Sequence, residues 1–415
     1  MNMTNFDAVL KEFYEGPIRK TMWNKVELMK YLQKSERMFS GRRIVFPVHV
    51  KRNPGVGARG ETSALPAAGN QSYVEARITA TYQYGRIQLT GVIMEASKNA
   101  FAEAVATEVE GCVTDLKFDV ARQTYSDSLG RLAQVGAIAA STSLVTVFNQ
   151  WSEPGQPGAK WCQEGQRLSF GSIATNSADG TGSIISISIP EGTATTVDTI
   201  TISATSLDLS ACTTFLFNNG VNSVEMMGVR GIVDKYGSDN IWVSGCAYTH
   251  TAVLQNINRS TYSRYNASVF GNSQVARVMD SLLIQRAFDG VEKNIDAKVG
   301  LIIGEYDTIT VFGDAVSTDR RYNSPQFDVG FQALTFNGKP LVKDLLAPYN
   351  ELFFLGERAL EWYVLSDFSW SNKDGSIWKN VTGYDAYEAF IRAYIQLGGE
   401  SINGNAVIRD IKTNI

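Results

Sequence analysis

"KRNPGVGARGE", residues 51–61, decides between two folds. Gly55, Gly57 and Gly60 spell G-x-G-x-x-G directly after the apolar run "RIVFPVHV" (43–50), the spacing of a dinucleotide-binding turn. That turn needs a helix to open at once, so that unpaired N–H groups meet the phosphate. The chain continues instead as "ETSALPAAGNQSYVEARITATYQYG" (61–85). Pro66 breaks any helix begun at Glu61, and Gly69-Asn70 is a second turn signal. From Tyr73, Val74, Ala76, Ile78, Ala80 and Tyr82 alternate with Glu75, Arg77, Thr79 and Thr81, the period of a strand with one dry face. Extended chain on both sides makes the glycines the end of a long hairpin. A two-stranded hairpin is marginal in water, so this one needs a surface to rest on.

The rest of the chain says what kind of body carries it. At 415 residues it exceeds one hydrophobic core, so several domains are expected. A net charge of −4 gives no overall basic field for nucleic acid or acidic membranes. The four cysteines, Cys112, Cys162, Cys212 and Cys246, form no C-x-x-C pair, which predicts free thiols in a reducing compartment. The first residues, "MNMTNFDAVLKEFYEGPIRKTMW", are not a signal peptide, and no apolar run is long enough to span a bilayer, so a cytosolic origin is expected.

Residues 1–40 read as an arm: Phe6, Val9, Leu10 and Phe13 share a helical face, Gly16-Pro17 interrupts it, and a second periodic stretch runs from Met22 to Leu32. An arm without a core of its own stays ordered only if something holds it, and a neighbouring subunit is one candidate. "SKNAFAEAVATEVEGCVTDLKFDVARQTY" (97–125) predicts one helix on the order of 40 Å long, with Ser97 as N-cap and Phe101, Val105, Val109, Cys112, Leu116 and Val120 on its apolar face. Between Gly136 and Val224 Ser, Thr, Gly and Ala dominate, and runs such as "SIISISI" and "TITIS" predict a small all-β insertion. Beyond it a helix is predicted around Val275–Leu283, and strands at "VGLIIG", "TITVF", "PLVKD", "NELFFLG" and "LEWYVL". Helices and strands mix without regular βαβ alternation, so the fold class is α+β.

Chemistry finds no foothold in these residues. The two histidines, His49 in an alternating strand and His250 in "CAYTHTAV", belong to no catalytic pattern. Walker A, H-E-x-x-H, G-x-S-x-G and kinase signatures are all missing, and Asp179-Gly180 and Asp374-Gly375 are turns without a calcium loop's alternating oxygens. No catalytic, metal or cofactor residue is therefore assigned, and the chain reads as non-enzymatic. Glu103, Glu108, Glu110, Asp115 and Asp119 make the long helix acidic on its outer side. No histidine follows at i+3, so this is a solvated or partner-facing side and not a metal site. Arg42, Arg43, Lys51, Arg52 and Arg59 form the one local basic group; lacking interleaved aromatics, it suits pairing with a neighbour's acidic face better than nucleic acid.

An arm, a dependent hairpin, a rod helix, an insertion and a mixed domain, in that order, resemble the major capsid protein of tailed double-stranded DNA phages, a fold shared with encapsulin shells. The resemblance is carried by "YGRIQLTGVIMEASKNAF" (84–101) running on to "EVEGCVTDLKFDVARQTY" (108–125), by "NINRSTYSRYNA" (256–267), and by "LTFNGKPLVKD" (334–344) with "NELFFLG" (350–356). It spans the chain from about Arg42 to the end. Two features depart from it: "SDSLG" (126–130) stands where relatives often have Gly-Asp-Gly, and the β-rich stretch from about Gly165 to Phe217 has no counterpart in the minimal fold.

The resemblance implies an N-terminal arm (1–40), an extended loop (41–85), a peripheral domain (86–135 and 225–270) with a spine helix near 97–125, an insertion (136–224), an axial domain (271–375) and C-terminal strands (376–415). It implies that Lys51, Arg52, Gly55, Gly57, Arg59, Gly60, Leu65 and Pro66 lie on a loop reaching over an adjacent subunit. Leu65 and Pro66 would bury there, the arginines would pair with carboxylates such as Glu103, Glu108, Asp115 and Asp119, and the glycines would let the tip adopt conformations other residues resist. Hexamers and pentamers would then build an icosahedral head, assembled in the host cytoplasm. Its partners would be further copies of the chain, a portal, scaffolding or decoration proteins, and enclosed but not sequence-specifically bound double-stranded DNA, with no membrane. A separate scaffold and none both stay open, because the chain lacks a long charged N-terminal extension. The alternative is an encapsulin-type compartment around cargo protein; an enzyme with an unrecognised site comes third.

Overall fold

The computed structural model describes residues 27–91, 98–136, 144–149, 158–172, 177–188, 198–203, 214–221, 223–236, 252–273, 275–295, 298–319, 335–372 and 375–413. The first half runs α1 (Glu27–Tyr31), β1 (Arg43–Lys51), β2 (Ser72–Thr79), β3 (Thr81–Thr90) and α2 (Lys98–Gln123). Six strands follow: β4 (Arg131–Val135), β5 (Leu144–Asn149), β6 (Arg167–Ser172), β7 (Ser177–Ser188), β8 (Asp198–Ser203) and β9 (Thr214–Asn218). Then come α3 (Val229–Ile232), β10 (Val253–Leu254), β11 (Ile257–Asn258), β12 (Ser268–Phe270), α4 (Ser281–Ile295), β13 (Val299–Gly304) and α5 (Tyr306–Asp319). The chain ends with β14 (Thr335–Phe336), β15 (Lys339–Lys343), β16 (Leu352–Gly356), β17 (Glu361–Trp370), β18 (Lys379–Asn380), β19 (Ala386–Gly398) and β20 (Asn405–Ile408). The architecture is α+β, with elements from distant parts of the sequence sharing sheets.

The helix-bearing layer forms first in the logic of the sequence. On α2, Val109, Val113, Leu116 and Val120 are buried at three-and-four spacing, which turns one stripe of the helix to the sheet. Each such side chain contributes about 1.5–3 kcal/mol on full burial. The stripe lies on β3, where a Cβ on Gly85 would stand 3.0 Å from Cys112 Sγ, so glycine there lets helix and strand approach closely. β3 pairs antiparallel with β19 over ten residues, from Thr81↔Ile395 to Thr90↔Ala386, and β19 also pairs with β17 and β18. Although sequence order groups β17 with the 271–375 segment, it lies in this sheet.

A second sheet has the order β12-β20-β16-β13-β15-β14. One face, with Leu301, Ile303, Phe353, Leu355 and Val407, joins the principal core that includes the α2 stripe. The other face, with Ile302, Phe354, Ala406 and Ile408, is covered by α4 and α5 through Ile284, Phe288, Ile309 and Phe312. "TITVF" (308–312), predicted as a strand, is therefore helical, inside α5. Topology overrides β-branched propensity here: β13 and β15 are parallel neighbours, and a parallel pair needs a crossover, which α5 supplies.

The third unit is a closed barrel of strand order β4-β5-β8-β7-β6-β9, spanning residues 131–218. Its core is Leu132, Val145, Val147, Leu168, Phe170, Ile184, Ile200, Ile202 and Leu216.

The N-terminal segment is corrected in part. Residues 1–26 lie outside the described residues, but Leu28 and Met29 are 0% and 2% exposed within the principal core. Ser35 N donates to Trp362 O (2.8 Å) and Trp362 N to Gln33 O (2.9 Å). Residues 28–35 thus have contacts within their own chain, Leu28 and Met29 in the principal core and Gln33–Ser35 along Trp362 of β17.

Candidate inter-subunit contact surface

The glycine motif ends a hairpin, as the alternation predicts. β1 and β2 pair antiparallel from Arg43↔Thr79 to Lys51↔Ser72. At about 3.3 Å per residue the nine residues of β1 carry the loop about 30 Å from the hairpin's base. The base rests on the chain itself: Ile44, Phe46, Ala76 and Ile78 are buried in the principal core. Arg77 N donates to Gln255 O (2.8 Å) and Asn256 Nδ2 to Glu75 O (3.3 Å). Beyond Val48 and Val74 no core lies beneath the chain, and Val56 and Leu65 are 83% and 86% exposed.

The loop's shape is fixed at its neck. Asn53 Oδ1 accepts from Gly55 N (2.8 Å), and a Cβ on Gly55 would stand 2.9 Å from Ala67 O. A Cβ on Gly69 would stand 2.5 Å from Pro54 Cγ. At the tip Ser63 N donates to Gly60 O (3.0 Å), while Gly57 has open space around it. None of Gly55, Gly57 and Gly60 has a left-handed φ, so the expected need for unusual tip conformations is corrected. Close approach at Gly55 and Gly69 is the operative constraint, and neither contact partner is visible from sequence spacing.

Charge divides cleanly between two surfaces. Lys51, Arg52 and Arg59 are exposed on the loop with Glu61 as the one carboxylate between residues 51 and 71. On α2, Glu108, Glu110 and Asp115 are exposed, and Phe118 beside them is 41% exposed. Among the described residues, no ion pair involves Arg52, Arg59, Glu108, Glu110 or Asp115. Asp119 differs: it accepts from Arg122 Nη2 (2.8 Å) and Gln123 Nε2 (2.8 Å), so it is already engaged within its own helix. The Glu103 side chain lies outside the described residues. Among the described residues, the basic loop and the acidic helix face make no ion pair with each other within one chain.

A cleft of about 600 Å³ opens beside the hairpin's inner end, lined by Val48, His49, Arg52, Arg264, Tyr265 and Asn403 among others. Arg52 faces it, so this loop residue lines a cleft of its own chain. Sequence reasoning missed the cleft because Tyr262–Tyr265 reach it through a 3₁₀ turn more than 200 residues away.

Of the four cysteines, Cys212 and Cys246 lie outside the described residues, and the two described thiols show no reactive character. Burial, aided by Asp115 and Glu108, pushes the Cys112 thiol up, and burial with the field of Asp198 pushes Cys162 up to about 12. Both are free, and protonated at neutral pH. No group of three metal-ligating side chains occurs among the described residues, and none of their helices is long and apolar enough to cross a membrane.

No family model matches the chain, and no curated protein matches it in sequence. Among solved structures, the Cyanophage A-1(L) capsid asymmetric unit contains a similar chain, with a TM-score of 0.55, 12% identity and 93% of each chain covered. The capsid of an empty GTA particle gives 0.46 at 7% identity, covering 93% of this chain and 90% of that one. A Mycobacterium phage Patience structure gives 0.44 at 10% identity, covering 99% and 89%. The first of these shows a shared fold; the other two are looser likenesses.

Proposed function

We propose that the chain is a major capsid protein: copies assemble into hexamers and pentamers that close into an icosahedral phage head around double-stranded DNA. The observation that carries this reading is the fold shared with a chain of the cyanophage capsid over 93% of both lengths. The long loop supports it, because an exposed apolar and basic excursion without a core is accounted for by a neighbour that covers it.

In this reading the hairpin and its loop are the extended loop, and the α2 layer is the peripheral domain. The six-stranded sheet with α4 and α5 is the axial domain, the barrel is the insertion, and the arm is the segment before Leu28. Leu65 and Pro66 bury on an adjacent copy, with Arg52 and Arg59 facing its Glu108 and Asp115. Single exposed ion pairs contribute about 0–1 kcal/mol, so stability comes from many such contacts repeated around a closed ring. The role is structural and non-enzymatic, the location is the virion after assembly in the host cytoplasm, and portal, scaffolding and decoration proteins are further partners.

Electron microscopy of the purified recombinant protein, with its mass in solution, tests the proposal. Closed shells or capsomer rings are expected. A monomer that stays monomeric with candidate scaffold present refutes it. Nuclease-protected duplex DNA in particles from infected cells fits the phage head, whereas a single copurifying protein would shift the reading to the encapsulin alternative.

A further inference from the structure

We infer that the barrel is a strut, attached at two points, that fixes the angle between the α2 layer and the six-stranded sheet. Its first attachment is where the chain enters and leaves. Gly228 N donates to Ser126 O (3.0 Å), Ser223 N to Leu129 O (3.1 Å), and Asp127 bridges Met227, so the two crossings are stitched together at the end of α2. Arg122 reaches from α2 to Glu225 within the same stitch, with both side chains buried.

The second attachment is not covalent. It is a turn at residues 158–162, held rigidly to the barrel: Ala159 N donates to Asp198 Oδ2 (2.8 Å), and Cys162 N to Ala159 O (2.9 Å). A Cβ on Gly158 would stand 2.3 Å from Val147 O, so the turn is pressed against β5. Two consecutive side chains project from it to two different units. The Trp161 ring meets Phe118 of α2 at 5.5 Å between centroids. The Lys160 ammonium donates to Leu345 O (2.8 Å) and stands 4.4 Å from the centre of the Tyr349 ring, both in the turn after β15.

The contacted turn is itself tied to α2's end. Tyr125 Oη donates to Asp344 Oδ2 (2.7 Å), and Asp344 Oδ1 accepts from Leu346 N (2.9 Å). Leu346 packs against the principal core and the barrel core alike. Helix, sheet turn and barrel therefore form a closed triangle of contacts, which braces the two layers beside the core they already share. The strut's mechanical role stands without the shell reading. Its consequence rests on that reading: a fixed angle between the two layers sets the local curvature that each subunit imposes.

Hydrogen exchange of the full chain tests the strut, using Lys160→Ala with Lys160→Arg as the conservative control. Lys160→Ala is expected to speed exchange of the Leu346 and Ala347 amides about tenfold, the scale of a lost cation–π contact with its hydrogen bond. Amides of Ile184 and Ile200 in the barrel should keep their rates, and Lys160→Arg should stay near wild type. Unchanged rates at 346 and 347, or equal acceleration throughout the barrel, overturn the strut. By electron microscopy, Lys160→Ala particles should spread over more than one diameter; a single unchanged diameter overturns the curvature role. If the wild type forms no particles, the shell reading falls, and the exchange rates still decide the strut.

Discussion

The Arg122 guanidinium donates to the Glu225 carboxylate across 103 residues of chain, with both side chains at most 2% exposed. The pair joins the last turn of α2 to the strand of chain returning from the barrel. Removing Glu225 leaves the buried Arg122 guanidinium only the part-exposed Asp119 carboxylate, so Glu225→Ala should lower unfolding free energy by up to about 3–5 kcal/mol. Urea denaturation measures it, and a loss under about 1 kcal/mol would show the site is wetter than its burial indicates.

Loop geometry should respond to the neck and not to the tip. Gly69→Ala drives a methyl into the Pro54 ring, whereas Gly57→Ala meets open space in an ordinary backbone conformation. Gly69→Ala should therefore impair assembly with little change in melting temperature, since the loop lies outside every core, and Gly57→Ala should assemble as wild type. Sedimentation alongside thermal melting reads both, and equal behaviour of the two variants would contradict the close-approach argument.

If loop and helix pair between copies, charge reversal on either side should disrupt assembly and reversal on both should restore it. Arg52→Glu with Arg59→Glu is one half, and Glu108→Arg with Asp115→Arg the other. Particle yield by light scattering is the readout. Failure of the combined variant, while each half stays folded, would direct the loop to another surface.

Glu305 gives a pH signature. Burial raises its carboxyl above the ordinary range, against the Asp307 N–H at 2.7 Å and the field of Lys160, which pull it down. A raised value in the folded state means the fold binds that proton more tightly than the unfolded chain does. Its contribution is then complete below the ordinary carboxylate value near about 4.3 and is lost as pH rises through the folded value. Glu305→Gln lacks this loss, so its urea midpoint should gain on wild type between about pH 4 and pH 7. Parallel curves would place Glu305 at its ordinary value.

The elements with strong periodicity were legible from sequence. The α2 stripe, the β1–β2 hairpin and the run that became β8 each repeat a single period along one continuous face, and β7 keeps its alternation except at a bulge between Ile184 and Ser186. What stayed hidden depends on chain far away. "TITVF" looks like a strand until β15 is known to lie parallel beside β13, and Leu28 looks like part of an arm until β17 is in place. Of the contact surface, the opposite charges of loop and helix were legible. The neck contacts of Gly55 and Gly69, and the engagement of Asp119 by Arg122 and Gln123, were not, because each pairs groups through backbone geometry or helix phase.

Within the barrel, the first and last strands are neighbours: Arg131 of β4 pairs with Phe217 of β9. The chain thus departs from the host and rejoins it at nearly one point. Topologically the whole barrel is a pendant, and the path of the host backbone is the same with or without it. Recombination could graft such a module in, enlarge it or swap it for another without rethreading any strand of the host. The barrel's outer surface is thereby separable from the threading of the host fold, although the turn at residues 158–162 still ties it to the host.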